Sequence, residues 1–592
     1  IYRATKEVAA PVISGTLIII IVFLPLLTLQ GLEGKLFTPV AITIVCALGG
    51  ALWLSLTVIP VIASYLLRRV ALQEPWLSRV FHRFYQPLLE TCLTHPRLVF
   101  SLAGVLLGVT VLLFLQLGRT FMPSMDEGDL VVQLEKLPSI TLQNSIELDL
   151  QVQRNILNAV PEVSQIVARV GADEIGLDPM GFHDTDVFLA LQPRATWRQP
   201  SKEALIEDIR RVIQQTPGIA YGFTQPIEMR VSEMLTGTRG DVAVKIFGPD
   251  LSELNHQALA ISEVLKSIPG ASDVFTSQNE GMQYLQLTIR RDKAGRLGLD
   301  SDQIQTLLRA QIEGLRLGVV QEGMRRTPLI VRGNSDSARL AALPIALPDG
   351  AWVPLGQIAD IRRVDGVVAI KREKGQRFAV VRSNVEGRDL VGFVEEAKHA
   401  VAEHINLSLG YSIEWGGQFE NQQRASARLT LVVPIALGLI FLLLFSTFGS
   451  IRQALLILSN IPLAMIGGVF ALWIAGEYLS VPASVGFIAL LGIAVLNGVV
   501  LLSYFNQLRA SGMAMEQVVI TGSMRRLRPV LMTASSTLIG LLPLLSATGP
   551  GSEIQRPLAI VVIGGLVSST LLTLILLPIL YRYYGEAPEN HA

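Results

Sequence analysis

Only two cysteines occur in 592 residues, Cys46 inside an apolar run and Cys92 in a connector. The water-facing part of the chain therefore has neither a disulfide nor a thiolate metal site. Charge is scarce in places as well. The stretches 11–67, 98–117, 429–505 and 530–581 carry almost none, whereas 118–428 has the composition of an ordinary soluble domain. Forty-nine basic residues balance forty-nine acidic ones, which leaves no bulk charge to attract nucleic acid. A phosphate-binding GxxxxGK[ST] loop, a GxGxxG turn after a strand and a nucleophile elbow are all missing. ATP hydrolysis, hydride transfer and ester hydrolysis are thus unsupported, and the chain does not read as an enzyme.

What is present is hydrophobicity: half of the residues are apolar, and the mean hydropathy is +0.46. About 20 apolar residues are needed to cross a bilayer as a helix. Runs of that kind lie at 11–30, 39–67, 98–117, 429–448, 454–475, 482–505, 529–547 and 557–581. The second is long, and a kink is expected at Pro60. Alternate connections hold Arg3 and Lys6; Arg68, Arg69, Arg79 and Arg83; Arg452; Arg509, Arg525, Arg526 and Arg528; then Arg582. That set belongs on the cytoplasmic side. The segment 118–428 then lies on the opposite face, the periplasm of a Gram-negative cell. Segment 74–96 mixes Trp76, Phe81, Phe84 and Tyr85 with Arg79, His82 and Arg83, a composition suited to a helix lying in the cytoplasmic interface.

The chain also contains a repeat. Pro11, Pro25, Gly31, Pro39, Pro60 and Tyr65 fall on Pro529, Pro543, Gly549, Pro557, Pro578 and Tyr583, each pair separated by the same 518 positions. Hydrophobicity alone does not align prolines and a glycine, so the two segments read as the closing helix pairs of two homologous halves. The second half opens near Arg97. The same offset puts the start of the first about 420 residues before Ile1, and the whole at roughly a thousand residues. The N-terminus, without an initiator Met or signal peptide, is expected to be truncated.

Four strand–helix–strand units can be read in 118–428. They run from DLVVQLEKL through a helix at 142–158 to VSQIVARV, and from DVFLALQP through 201–215 to IAYGFTQP. The others run from DVAVKIFG through 251–267 to SDVFTSQ, and from RFAVVRSNV through 389–405 to YSIEWGGQ. Paired, they give two βαββαβ sandwiches of ferredoxin-like type, one over 118–222 and one over 223–278 and 367–428. An insert at 279–366, with a strand from Tyr284 to Ile289 and a helix at 301–312, is expected to be a docking module. The rest divides into spans at 1–73, an interfacial helix at 74–96, one span at 97–117 and five at 429–592. The fold class expected is therefore a polytopic α-helical membrane protein with a large periplasmic α+β domain.

This plan resembles the resistance–nodulation–division exporters. FMPSMDEGDL at 121–130, GFIALLGIAVLNGVVLLSY at 486–504, LRPVLMTA at 527–534 and ATGPGSEIQRPLA at 547–559 carry the resemblance. RGDVAVKIFGPDL at 239–251 and GIAVLNGVV are most similar to the heavy-metal efflux branch of cobalt–zinc–cadmium type. In that family's counting the spans are the fifth to the twelfth. The resemblance implies a homotrimeric inner-membrane proton antiporter joined to a periplasmic adaptor protein and an outer-membrane channel. It implies no cofactor: the proton gradient supplies the energy and the metal ion is the substrate. The driving carboxylates would lie on the fourth span, upstream of Ile1.

Within the membrane the resemblance singles out Asn497 on the tenth span, which cannot titrate and would hydrogen-bond those carboxylates, with Thr533 and Ser535 extending the relay. The methionine triad of the copper/silver branch lands on Gln133, Asp184 and Met234, only one of them a methionine. The same neighbourhood reads DPMGFHDTD, with Asp178, His183, Asp184 and Asp186. Imidazole with carboxylates suits Zn(II), Co(II) or Ni(II), and strand periodicity puts Asp184 and Asp186 on one face. The opposing reading is a solvated acidic loop that caps a strand. Met229, Glu233 and Met234, in the loop before the third unit, are candidates to face the same cleft, although for any one of the methionines a core or lining position is the first expectation. Two rivals stand beside metal export. One is export of organic compounds, for which Phe182 and Phe223 are the nearby hints, and the other is a proton-driven accessory membrane protein on the same scaffold.

Overall fold

The structure is a computed structural model of the chain. It describes residues 2–66, 76–123, 125–172, 180–236, 240–276, 279–333, 337–547, 549 and 551–585, and for a few of these, Glu233 and Met234 among them, the backbone alone. Asp178 lies outside the described residues. Among those described, eight helices are long and apolar enough to cross a membrane.

The first block holds α1 (Tyr2–Phe23), a 3₁₀ turn at Leu24–Thr28, α2 (Gly31–Leu56), α3 (Val58–Leu66), α4 (Trp76–Thr94) and α5 (Pro96–Gln116). The bend expected at Pro60 falls at Thr57, between α2 and α3. Pro60 has no N–H for the carbonyl of Leu56, four residues back, and its ring crowds that carbonyl. The break therefore appears one turn before the proline. Helix α4 is amphipathic: Tyr85, Leu89 and Leu93 are buried while Trp76, Phe81 and Phe84 are exposed.

The α+β domain opens with β1 (Leu130–Glu135), α6 (Leu142–Ala159), β2 (Val163–Val170), β3 (Asp184–Leu191), α7 (Lys202–Ile213) and β4 (Ala220–Thr224). The strands form an antiparallel sheet in the order β2-β3-β1-β4. Thr141 and Ser201 cap α6 and α7, each accepting a backbone N–H three residues on, as such residues do at helix starts. Leu130, Val132, Leu134, Ile156, Leu189 and Leu205 form the core between sheet and helices. Because β4 runs to Thr224, the first sheet extends two residues past the boundary read at 222.

Next comes α8 (Pro226–Thr236), where the sequence reading expected a loop. Pro226 supplies the first helical position, which needs no donor. The Glu127 carboxylate accepts the N–H groups of Ile227 and Glu228 at 2.6 and 2.8 Å, capping the helix from outside.

The second unit is β5 (Val242–Phe247), α9 (Leu251–Lys266) and β6 (Ala271–Thr276). An insert follows: β7 (Glu280–Ile289), α10 (Arg291–Arg296), α11 (Ser301–Ile312), β8 (Leu315–Glu322), β9 (Arg325–Val331), β10 (Pro344–Ala346), β11 (Trp352–Pro354), α12 (Leu355–Ile358) and β12 (Ala359–Val367). It has a small core of its own around Leu308, Ile345 and Leu355. The unit then resumes with β13 (Arg372–Glu373), β14 (Gln376–Val385), α13 (Leu390–His404) and β15 (Ser412–Gly417). Its order, β6-β14-β5-β15 with β13 on the edge of β14, repeats the permutation of the first sheet.

The chain returns to the membrane through α14 (Gln418–Phe448), which starts eleven residues before the apolar run at 429 and directly after β15. The remaining helices are α15 (Ile451–Leu458), α16 (Asn460–Ala475), α17 (Val481–Ala510), α18 (Met515–Ser546) and α19 (Ser552–Tyr584). The run read as one span at 454–475 is divided at Ser459, again within one turn ahead of the proline responsible, Pro462. Helix α17 is buried nearly all round. Helices α16 and α19 approach backbone to backbone at Gly467 and Gly564, where a Cβ on either would collide with the other's carbonyl. There Ser568 Oγ accepts the Gly467 N–H at 3.0 Å, a small-residue contact of the kind that lets membrane helices close up.

Candidate functional site

The two units of the α+β domain enclose a cleft of about 1080 Å³. Paired charges join them along one side. Asp273 of β6, held at φ 48, accepts the Phe223 N–H at 3.2 Å and pairs with Arg210 of α7. Arg210 also lies 3.3 Å from Glu386. Arg382 of β14 covers the ring of Phe275 at 4.1 Å and sits 3.7 Å from Glu135 of β1. These contacts tie β1, β4 and α7 to β6 and β14.

The membrane-proximal floor is different. Lys202 Nζ donates to Asp126 at 2.6 Å, to Gln225 at 2.7 Å and to the Asp129 carbonyl at 3.2 Å. Burial raises the Asp126 carboxyl, but the hydrogen bonds from Lys202 and the Gly128 amide, with the charges of Lys202 and Arg194, outweigh it and hold the group below the usual range. Two other carboxylates are not held down in this way. Burial first, then repulsion from Asp241 and Glu127, push Glu228 up to about 7 against the hydrogen bond from Gln225 and the charge of Lys202. Burial and the charges of Glu386 and Asp273 push Asp241 to about 6, although the Val385 N–H donates to it. Near neutral pH these two groups change charge, as groups in functional clefts often do. Gln418 Nε2, at the start of α14, donates to Asp241 at 2.8 Å and lies 3.5 Å from Glu228.

The residues singled out in the sequence are only partly brought together. Asp184 and Asp186 share a face of β3, opposite Glu135 and Gln133 of β1 respectively. Asp186 is fully buried and engaged by Arg169 at 2.6 Å. His183 is buried, with Nε2 3.5 Å from Asp184 and Nδ1 lacking a hydrogen-bond partner among the described residues. Among the described residues no three His, Cys, Asp or Glu side chains are grouped to hold a metal ion. Met229 belongs to the core. Glu233 and Met234 stand on α8 and not in a loop, with their side chains outside the description. In the membrane, Asn497 is buried on α17, and Thr533 and Ser535 occupy an exposed face of α18. Asn460, fully buried on α16, packs against Gly498 beside Asn497 and has no hydrogen-bond partner among the described residues. The sequence reading also missed Glu228, Asp241 and Gln418. The available signal was the proline-initiated stretch before β5, with an acid in its first turn.

Residues 1–585 match the AcrB/AcrD/AcrF family. The chain belongs to it. Over its whole length it is 42% identical to the cation efflux system protein CzcA of Alcaligenes sp. (strain CT14). It is 41% identical to the cobalt–zinc–cadmium resistance protein CzcA of Cupriavidus metallidurans. The crystal structure of a heavy metal efflux pump superposes on 98% of the chain with a TM-score of 0.87 at 36% identity, and the chain covers 58% of that structure. This member of the family spans 57% of the length of the two relatives named. The match places it among the heavy-metal resistance–nodulation–division transporters, as the motifs at 239–251 and 492–500 imply.

Proposed function

We propose that this chain is part of a proton-driven exporter of heavy-metal cations, divalent zinc, cobalt, cadmium or nickel, and that it carries the cleft through which the cation passes. It would sit in the inner membrane with the α+β domain in the periplasm, its two sheets acting as ferredoxin-like units that close and open the cleft. It would work as a homotrimer with an adaptor protein and an outer-membrane channel, as a transporter and not an enzyme, with the proton gradient in place of any cofactor. The observation that carries this reading is the acid-lined cleft between two sheets of the same topology, in a chain about 40% identical to proteins named for cation efflux and metal resistance. Carboxylates and imidazole suit divalent ions of borderline softness.

One feature favours a second reading, export of organic compounds. A mostly apolar chamber of about 590 Å³, with Leu36, Phe121, Met122, Leu390 and Ile554 in its walls, adjoins the cleft near the membrane. Expression of the transporter as its gene encodes it in a metal-sensitive strain separates the two. Metal export predicts raised tolerance to zinc, cobalt and cadmium, reduced by Asp184→Ala. Unchanged metal tolerance with lowered accumulation of a cationic dye would establish the second reading instead.

A further inference from the structure

The cleft and the apolar chamber are adjacent cavities with a common wall. Met125, Glu228, Ser232, Asp241, Val385 and Gln418 line both. Cleft and chamber meet where the Gln418 amide spans the gap between two carboxylates, one on α8 and one just before β5. Gln418 is also the first residue of a membrane-spanning helix. Further along α14, Arg424 lies 3.9 Å from the fully buried Glu33 of α2. Arg428 donates to the Thr28 carbonyl at 2.9 Å and to Gln30. The helix is thus gripped at the α1–α2 turn and ends in the wall between the two cavities.

We infer that Gln418 is a positioning residue, a latch that holds α8 and the start of β5 together and keeps the passage between chamber and cleft shut in the conformation observed. This inference concerns the passage and does not depend on which substrate uses it. A side-chain amide bridges two carboxylates best when both are ionised, because each bond is then charge-assisted. Protonation weakens both bonds. The charged groups facing the pair are Glu127 ahead of β1, Lys202 of α7, Asp273 of β6 and Glu386 after β14. Of these only Lys202 is cationic, and it is committed to Asp126 and Gln225. As pH falls, Glu228 neutralises first and Asp241 next, and the latch slackens.

Nitroxide labels at Ile227→Cys on α8 and Glu420→Cys on α14, with Cys46 and Cys92 replaced by serine, report the gap by electron paramagnetic resonance in the transporter as encoded. The interspin distance is expected to lengthen between about pH 8 and about pH 5.5, with its midpoint between the two carboxyl values. Gln418→Ala is expected to keep the long distance throughout. Gln418→Glu is expected to reverse the profile, since three carboxylates repel at high pH and the introduced carboxyl, once protonated, donates at low pH. Glu228→Gln with Asp241→Asn is expected to flatten it. A distance that ignores pH in the parent, or a Gln418→Glu profile with the parent's sign, overturns the latch. Neither result touches metal or dye export, which the tolerance assay reads separately.

Discussion

Tyr85 donates a hydrogen bond of 2.6 Å to the carbonyl of Leu574, the carbonyl that Pro578, four residues on, leaves without an N–H. The repeat places Pro60 in the same position relative to Leu56, and there α2 breaks. In α19 the helix runs on without interruption. One phenol from α4 thus satisfies in the second half what remains a break in the first.

Tyr85→Phe is therefore expected to destabilise the protein by about 1–3 kcal/mol, the cost of leaving a buried acceptor unmet. Thermal unfolding in detergent checks this. Pro578→Ala restores the internal donor, so in the double variant the loss should largely disappear.

Gly467→Ala should force α16 and α19 apart, because the added methyl meets the backbone of Gly564 and not the end of a flexible side chain. Folded yield is expected to fall severalfold, as for other overpacked close contacts. Gly540→Ala, at a position with open space around it, should leave yield unchanged.

Stability should depend on pH in a direction set by Glu228 and Asp241. Both are raised in the folded protein, to about 7 and about 6, so the folded state holds more protons than the unfolded one between about pH 4 and pH 7. Their contribution is fully present at low pH and is lost as pH rises through 6 and 7. Comparison of melting temperatures at about pH 5 and about pH 8 should show this, on the order of 2 kcal/mol for each group. Glu228→Gln with Asp241→Asn should remove that part of the slope.

Arg169→Ala is expected to cost about 3–5 kcal/mol, since it takes away the cation that engages the fully buried Asp186 and leaves that charge in a dry site. The double variant Arg169→Ala, Asp186→Asn should recover much of the loss. Chemical denaturation of the purified protein distinguishes these outcomes.

The sequence discloses those parts of the fold whose cause is local. Helix α6 and strand β2 follow from Thr141 as a cap and from alternation in VSQIVARV, and the eight membrane helices follow from apolar length. Breaks next to Pro60 and Pro462 are displaced by up to one turn because the injury is to a carbonyl upstream. The floor of the cleft was not legible. Glu228 acquires its character from Glu127, Asp241 and Gln418, and Gln418 lies 190 positions away from it. Nothing about a glutamine ahead of an apolar run announces that it will bridge two acids. Likewise the pairing of Asp186 with Arg169 is not legible in the sequence, because the two stand on different strands.

Helix α14 contains 31 residues, about 46 Å at 1.5 Å per residue, and its two arginine grips lie nearer the cleft than the far side of the membrane. If it rocks as a rod about those grips, its arms are about 12 Å and about 33 Å long. Motion at Phe448 then reaches Gln418 reduced roughly threefold and with its direction reversed. A sweep of about 3 Å at Phe448 becomes about 1 Å at the amide, enough to break a hydrogen bond.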